Sequence, residues 1–181
     1  MRLSDPLEII VAGVAGQGSV LAGHLLAEAA VRSRRFVSQT ARTSVAVRTG
    51  CSEAHVVISK TPVDFPYAEY PEVLFVLHPP ILDAYENLVR DGGFVLIAAE
   101  EREAIQNVPG NKTRIWIPTQ RISAAENLPP GNENLILAGA FCALCPVLSV
   151  ESIVESARRL PVISAGSEKA LSAGAGFALT I

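Results

Sequence analysis

Residues 8–12, Glu-Ile-Ile-Val-Ala, form a short apolar run that stops at Gly13, and a helical pattern begins at Gln17. A run of this kind, apolar without alternation, is the pattern of a strand covered on both faces. From residue 17 to 32 the apolar positions Val20, Leu21, Leu25, Ala27 and Val31 follow a helical period. The basic residues Arg32, Arg34 and Arg35 close it, where a helix favours positive charge. Strand, glycine turn and helix at the start of a chain commit it to an α/β architecture.

The same alternation continues. Residues 36–38, 54–59, 72–77, 93–98 and 114–117 read as further short strands. Residues 79–90, 119–126, 134–145, 150–159 and 167–179 read as helices. The pattern predicts one domain over residues 1–181, a three-layer, Rossmann-like fold with a largely parallel sheet and helices on both faces. The stretch 39–53 does not fit. It holds Thr, Ser and Arg with little periodic apolar signal, where a doubly wound fold would place a crossover helix.

The turn Gly13-Val14-Ala15-Gly16-Gln17-Gly18 carries the clearest local chemistry. Glycines let the backbone turn tightly and leave the first helix amides bare, an anion-binding arrangement at the positive end of the helix. The two common nucleotide readings fail in detail. The order here is G-x-x-G-x-G, not G-x-G-x-x-G, and Gln39 and Thr40 stand where an acidic ribose contact would follow the second strand. A P-loop would need Lys directly after the last glycine, where Ser19 stands. A tight turn without ligand therefore stays open beside an anion site. Arg48-Thr49-Gly50, ahead of the third strand, could offer a guanidinium to a carboxylate or phosphate, or could be an ordinary surface arginine.

Other chemistry finds little support. Cys142-x-x-Cys145 lies in an apolar helix with no second pair, so both read as small core or interface residues and not as a zinc, cluster or redox site. His24, His55 and His78 are scattered, and no Ser/His/Asp spacing is legible. No residue is assigned a catalytic or metal-binding role. Three cysteines do not make a disulfide framework, and no signal segment or spanning run is present, which leads to the expectation of a cytoplasmic protein. A net charge of −3 and a pI near 5.6 argue against nucleic acid.

Taken in order, these pieces resemble the gamma subunit of the 2-oxoacid:ferredoxin (acceptor) oxidoreductases. That family opens with a strand, G-x-G-G-Q-G and an Ala-rich helix, matched by Gly13 to Gly18 and residues 22–30. It continues with R-G-G before a V-x-I-S strand and a Pro, matched by Arg48-Thr49-Gly50, Val56 to Ser59 and Pro62. Later it carries an Asn opening a Gly-Ala helix, matched by Asn134 to Ala140, and then a helix start like that at residues 148–153. The likeness covers residues 8–160. Ala15 and Thr49 each replace a family glycine.

The resemblance implies a subunit, inactive alone, of an enzyme that converts a 2-oxoacid and coenzyme A to acyl-CoA and carbon dioxide and passes two electrons to ferredoxin. Thiamine diphosphate, magnesium and iron–sulfur clusters would lie on companion alpha and beta chains, with a ferredoxin-like delta chain as a further candidate, and this chain would bind none of them. Coenzyme A would approach near this subunit. Gly13, Gly16, Gln17, Gly18, Arg48, Thr49, Gly50 and Asn134 are then the candidate coenzyme A, anion or interface residues. Only 18 % of the chain is charged and 49 % is hydrophobic, which points to a surface covered by partners and to a dimer when the chain is isolated. The competing reading is a free-standing α/β module that binds a nucleotide or coenzyme A. The 2-oxoacid itself is not readable from this chain.

Overall fold

A computed structural model of the chain describes residues 3–43, 50–100, 111–160 and 166–181. Its centre is a six-stranded sheet in the order β2-β3-β1-β4-β5-β6. The strands are β1 (Leu7–Val14), β2 (Phe36–Thr43), β3 (Cys51–Ser59), β4 (Val73–Val76), β5 (Phe94–Ala98) and β6 (Thr113–Ile117). β1, β4, β5 and β6 are parallel neighbours, while β3 runs antiparallel to both β1 and β2. The sheet is mixed, with β3 as its one reversed strand.

The awkward stretch 39–53 is resolved by that reversal. No crossover helix stands among its described residues. β2 continues to Thr43, β3 starts at Cys51, and the two pair in register from Phe36↔Ser59 to Thr43↔Ser52. β2 is an edge strand with half-exposed, polar side chains, so it lacks the apolar signal that marks a buried strand.

The two sheet faces are covered unequally. Leu7, Ile9 and Val11 of β1 point into the main core, roofed by α1 (Ser19–Arg32), α4 (Glu133–Leu144), α5 (Val150–Arg159) and α6 (Ser167–Ala178). Ile10 and Ala12 point the other way, under a thinner cover: the strap 62–71 and the short α2 (Leu82–Tyr85), flanked by 3₁₀ turns at Pro79–Ile81 and Glu86–Leu88. The predicted helix 79–90 is thus broken into three pieces. Glu86 is drawn inward, its carboxylate 2.6 Å from Arg114 Nε and its carbonyl 2.7 Å from Lys112 Nζ, which pulls the chain off a regular helical path. A short α3 (Thr119–Ala125) follows β6.

α4 is apolar on all sides because it is buried from Asn134 to Cys142. It meets α6 through two reciprocal glycines: a Cβ on Gly139 would overlap the Leu171 carbonyl, and one on Gly174 would overlap the Ile136 carbonyl. Cys142 and Cys145 are buried thiols in this layer, as expected of core residues, and burial pushes both above the usual thiol range. α5 opens with a reciprocal cap, in which the Ser149 hydroxyl accepts from the Ser152 amide and the Ser152 hydroxyl from the Ser149 amide. Among the described residues no helix is long and apolar enough to cross a membrane.

Candidate functional site

β1 hands its chain to α1 on the main face and toward β2, whereas β4 hands its chain to α2 on the thin face and toward β5. Connections that leave two adjacent parallel strands in opposite directions open a crevice at their C-terminal ends, the place where α/β sheets take ligands. The glycine turn sits at that crevice.

Its geometry follows from three side-chain-free positions and one amide side chain. Gly16 and Gly18 have φ of +91° and +75°, conformations that cost little only for glycine. Gly18 caps α1, accepting from Ala22 N at 2.9 Å. Gln17 folds back over the turn: its Oε1 accepts from Val14 N at 2.9 Å, and its Nε2 donates to Leu77 O at 3.2 Å. One side chain therefore ties the end of β1 to the end of β4 across the crevice. Gly13 has to be small, because Gln17 Oε1 and Leu77 lie 3.0–3.1 Å from where its Cβ would stand.

Two distant segments complete the site. Gly50, at φ +58° just before β3, accepts from Ala15 N at 2.9 Å. Asn134, at the start of α4 and 2 % exposed, donates Nδ2 to Gly18 O at 3.0 Å, while its Oδ1 is buried with no partner. Six of the eight residues singled out in the sequence (Gly13, Gly16, Gln17, Gly18, Gly50 and Asn134) thus meet in one place. Arg48 and Thr49 lie outside the described residues. Among the described residues no acceptor meets the amides of Gly16, Gly18, Ser19 or Val20. Bare amides at a helix N-terminus suit an anion.

Beside the turn lies a cleft of about 370 Å³, lined by Gln17, His78, Glu100, Gln120 and Glu133 among others. Of these walls sequence reading singled out Gln17 alone; the others come from segments far apart in the chain. For His78 and Glu100, just past β4 and β5, that position was the available signal. Glu100 is already engaged: its carboxylate accepts from Gln120 N at 2.7 Å and Arg121 N at 3.2 Å, capping α3 as a bound anion would.

A second missed group lies on the thin face. Cys51, Glu53 and His55 alternate along β3 and so share that face. The Glu53 carboxyl is held below the usual carboxylate range chiefly by its contact with the His55 ring, then by the Tyr85 hydroxyl and the positive charge of Arg42, against the opposing effect of burial. Tyr85 is pushed above the usual phenol range by burial first and by Glu53 second. Among the described residues no group of three or more His, Cys, Asp or Glu could hold a metal ion.

Comparison with known proteins bears on the family and the fold. Residues 8–163 match the family described as pyruvate ferredoxin/flavodoxin oxidoreductase. The 2-oxoglutarate synthase subunit KorC of Methanocaldococcus jannaschii is 33 % identical over 154 residues, 84 % of this chain and 82 % of that one. The common gamma subunit of the pyruvate/ketoisovalerate oxidoreductases of Pyrococcus furiosus is 28 % identical over 155 residues, 83 % of this chain and 84 % of that one. The crystal structure of a keto/oxoacid ferredoxin oxidoreductase gamma subunit from Geobacter sulfurreducens superposes with a TM-score of 0.79 at 25 % identity, covering 97 % of this chain and 99 % of that one.

Proposed function

The chain belongs to the pyruvate ferredoxin/flavodoxin oxidoreductase family, as a gamma subunit of a 2-oxoacid:ferredoxin oxidoreductase, and we propose that its glycine turn and the adjoining β2–β3 hairpin contact coenzyme A in the assembled enzyme. Membership favours the subunit reading over a free-standing binding module. The observation that carries the coenzyme A role is the convergence of the turn, Gly50 and Asn134 at the open end of β1, with unpartnered amides facing out of α1. Those amides would take a phosphate group, and Arg48, on the segment between β2 and β3, would add a guanidinium.

The chemistry of the remaining groups supports a division of labour. An iron–sulfur cluster needs about four thiolates, and here two of three cysteines are buried together in α4 and its cap while Cys51 lies on β3. These donors do not fit a cluster, and the described carboxylates do not fit a metal-bound diphosphate. Thiamine diphosphate, magnesium and the clusters are assigned to companion alpha and beta chains and a ferredoxin-like delta chain, with ferredoxin as acceptor. Relatives named for 2-oxoglutarate and for pyruvate/ketoisovalerate suit a subunit that leaves the choice of 2-oxoacid to those chains. Exposed Phe36, Phe65, Tyr70, Leu179 and Ile181 support a partner-covered surface and self-association as a dimer when the chain is alone, and the place proposed for the complex is the cytoplasm.

Arg48→Ala in the assembled enzyme tests the reading. Loss of a charge-assisted contact to phosphate costs roughly 1.5–3 kcal/mol, so the KM for coenzyme A should rise by about one to two powers of ten. The KM for the 2-oxoacid should hold. If gel filtration shows intact assembly and both constants stay at wild-type values, the coenzyme A role is withdrawn.

A further inference from the structure

The thin face of the sheet holds a polar network that the candidate site does not account for. Glu53 stands opposite Arg42 in the β2–β3 register, two residues from His55 on its own strand. Its Oε1 lies 3.4 Å from His55 Nε2, a ring nitrogen with no aligned hydrogen-bond partner. The other ring nitrogen, Nδ1, lies 3.3 Å from the Ala68 carbonyl in the strap. The same ring meets Tyr67 edge-on at 5.8 Å, and the Arg42 guanidinium covers the Tyr67 ring at 4.8 Å. From α2, the half-buried Tyr85 side chain lies close enough to Glu53 and Cys51 for both to act on its hydroxyl. Both strands of the hairpin, the strap and α2 thus gather around one carboxylate, with His55 and Tyr67 as the intermediaries to the strap.

Its position along β3 gives the network a consequence. Cys51 pairs with Val14, and Gly50, the next residue back, holds the Ala15 amide of the glycine turn. The opposite face of β3 is pinned under α1, where Ala54 and Val56 are fully buried. Among the described residues, the strap and α2 cover the thin face of the strand. Without the Glu53 charge, the His55 ring beside it and Arg42 opposite it lose a neighbouring negative charge, and so does the side of β3 that Tyr85 of α2 approaches.

We propose that Glu53 is a positioning residue: through Arg42, His55 and Tyr85 it sets the hairpin so that Gly50 stays docked on the glycine turn. The link from that docking to catalysis rests on the coenzyme A reading above. The test is Glu53→Gln in the assembled enzyme, a near-isosteric change that removes the charge and keeps an oxygen for Tyr85. Two measurements are made together: amide hydrogen exchange at Ala15 and along residues 50–58, and the Michaelis constants for both substrates. Exchange at Ala15 should speed up about tenfold, and the KM for coenzyme A should rise about fivefold with kcat and the 2-oxoacid KM nearly unchanged. Tyr85→Phe should act in the same direction and more weakly. Unchanged exchange at Ala15 in Glu53→Gln overturns the proposal whatever the kinetics. Faster exchange with an unchanged KM for coenzyme A supports the positioning role and overturns the coenzyme A reading instead.

Discussion

Gly18 and Asn134, 116 residues apart, should be energetically coupled, and a double-mutant cycle measures it. Gly18→Ala places a Cβ on a residue at φ +75° and drives it into the Asn134 amide. The left-handed backbone costs about 1–2 kcal/mol for an L-residue. The displaced Asn134 loses its bond to Gly18 O, worth about 1 kcal/mol, for a total near 2–3 kcal/mol. Gly18 O keeps its other donor, Ala22 N, so no further penalty arises there. Asn134→Ala alone removes the same bond but also deletes the orphaned Oδ1, so its cost should stay near 1 kcal/mol. Once Asn134 is gone, Gly18→Ala has nothing to strike and adds only the backbone term. The double variant should then lie about 1 kcal/mol above the sum of the singles in stability. Urea unfolding of the four subunits, at one fixed low protein concentration, reads this directly. Additivity within about 0.3 kcal/mol would refute the packing argument and with it the claim that α4 shapes the turn.

Two glycines of the helical layer should respond in opposite ways. Gly139→Ala, aimed at the Leu171 backbone, should destabilise the subunit by about 3 kcal/mol or abolish folding, whereas Gly176→Ala in α6 meets nothing within 4 Å and should stabilise it by about 0.5–1 kcal/mol, both read as shifts in Tm. The acid limb of stability should depend on Glu53. Its native carboxyl titrates below the ordinary value of 4.5, so its contribution is complete above that pH and fades as the pH falls through the lower native value. Wild type and Glu53→Gln should accordingly differ most above pH 4.5 and converge in more acidic solution, and a gap that widens on acidification would sink this account.

Much of the molecule follows from the chain read residue by residue. Apolar runs such as 8–12 and 93–98 and the helical periods of α1, α4 and α5 are local signals, and the strands and helices stand where those signals place them. The left-handed glycines of the first turn were legible for the same reason: a positive φ is a demand on one residue and its neighbours. What depended on distant partners was not. β2 is polar because it is an edge, so 39–53 looked like neither strand nor helix until β3 paired with it in reverse. The 79–90 segment had a helical composition and was broken by Arg114 and Lys112, residues it meets only in the folded chain. Gly50 was singled out beside Arg48, and Asn134 by family pattern, yet their hydrogen bonds to Ala15 and Gly18 exist only because the sheet order and the α4 layer bring three remote segments together. Cys51, Glu53 and His55 showed their alternation openly, but a charge on a strand has no evident role until the same face is known to hold Arg42, Tyr67 and Tyr85. Backbone propensity and apolar periodicity are short-range and survive in a linear reading, whereas the partner of a buried amide or carboxylate is chosen by tertiary packing, because only there is water gone and a specific partner required.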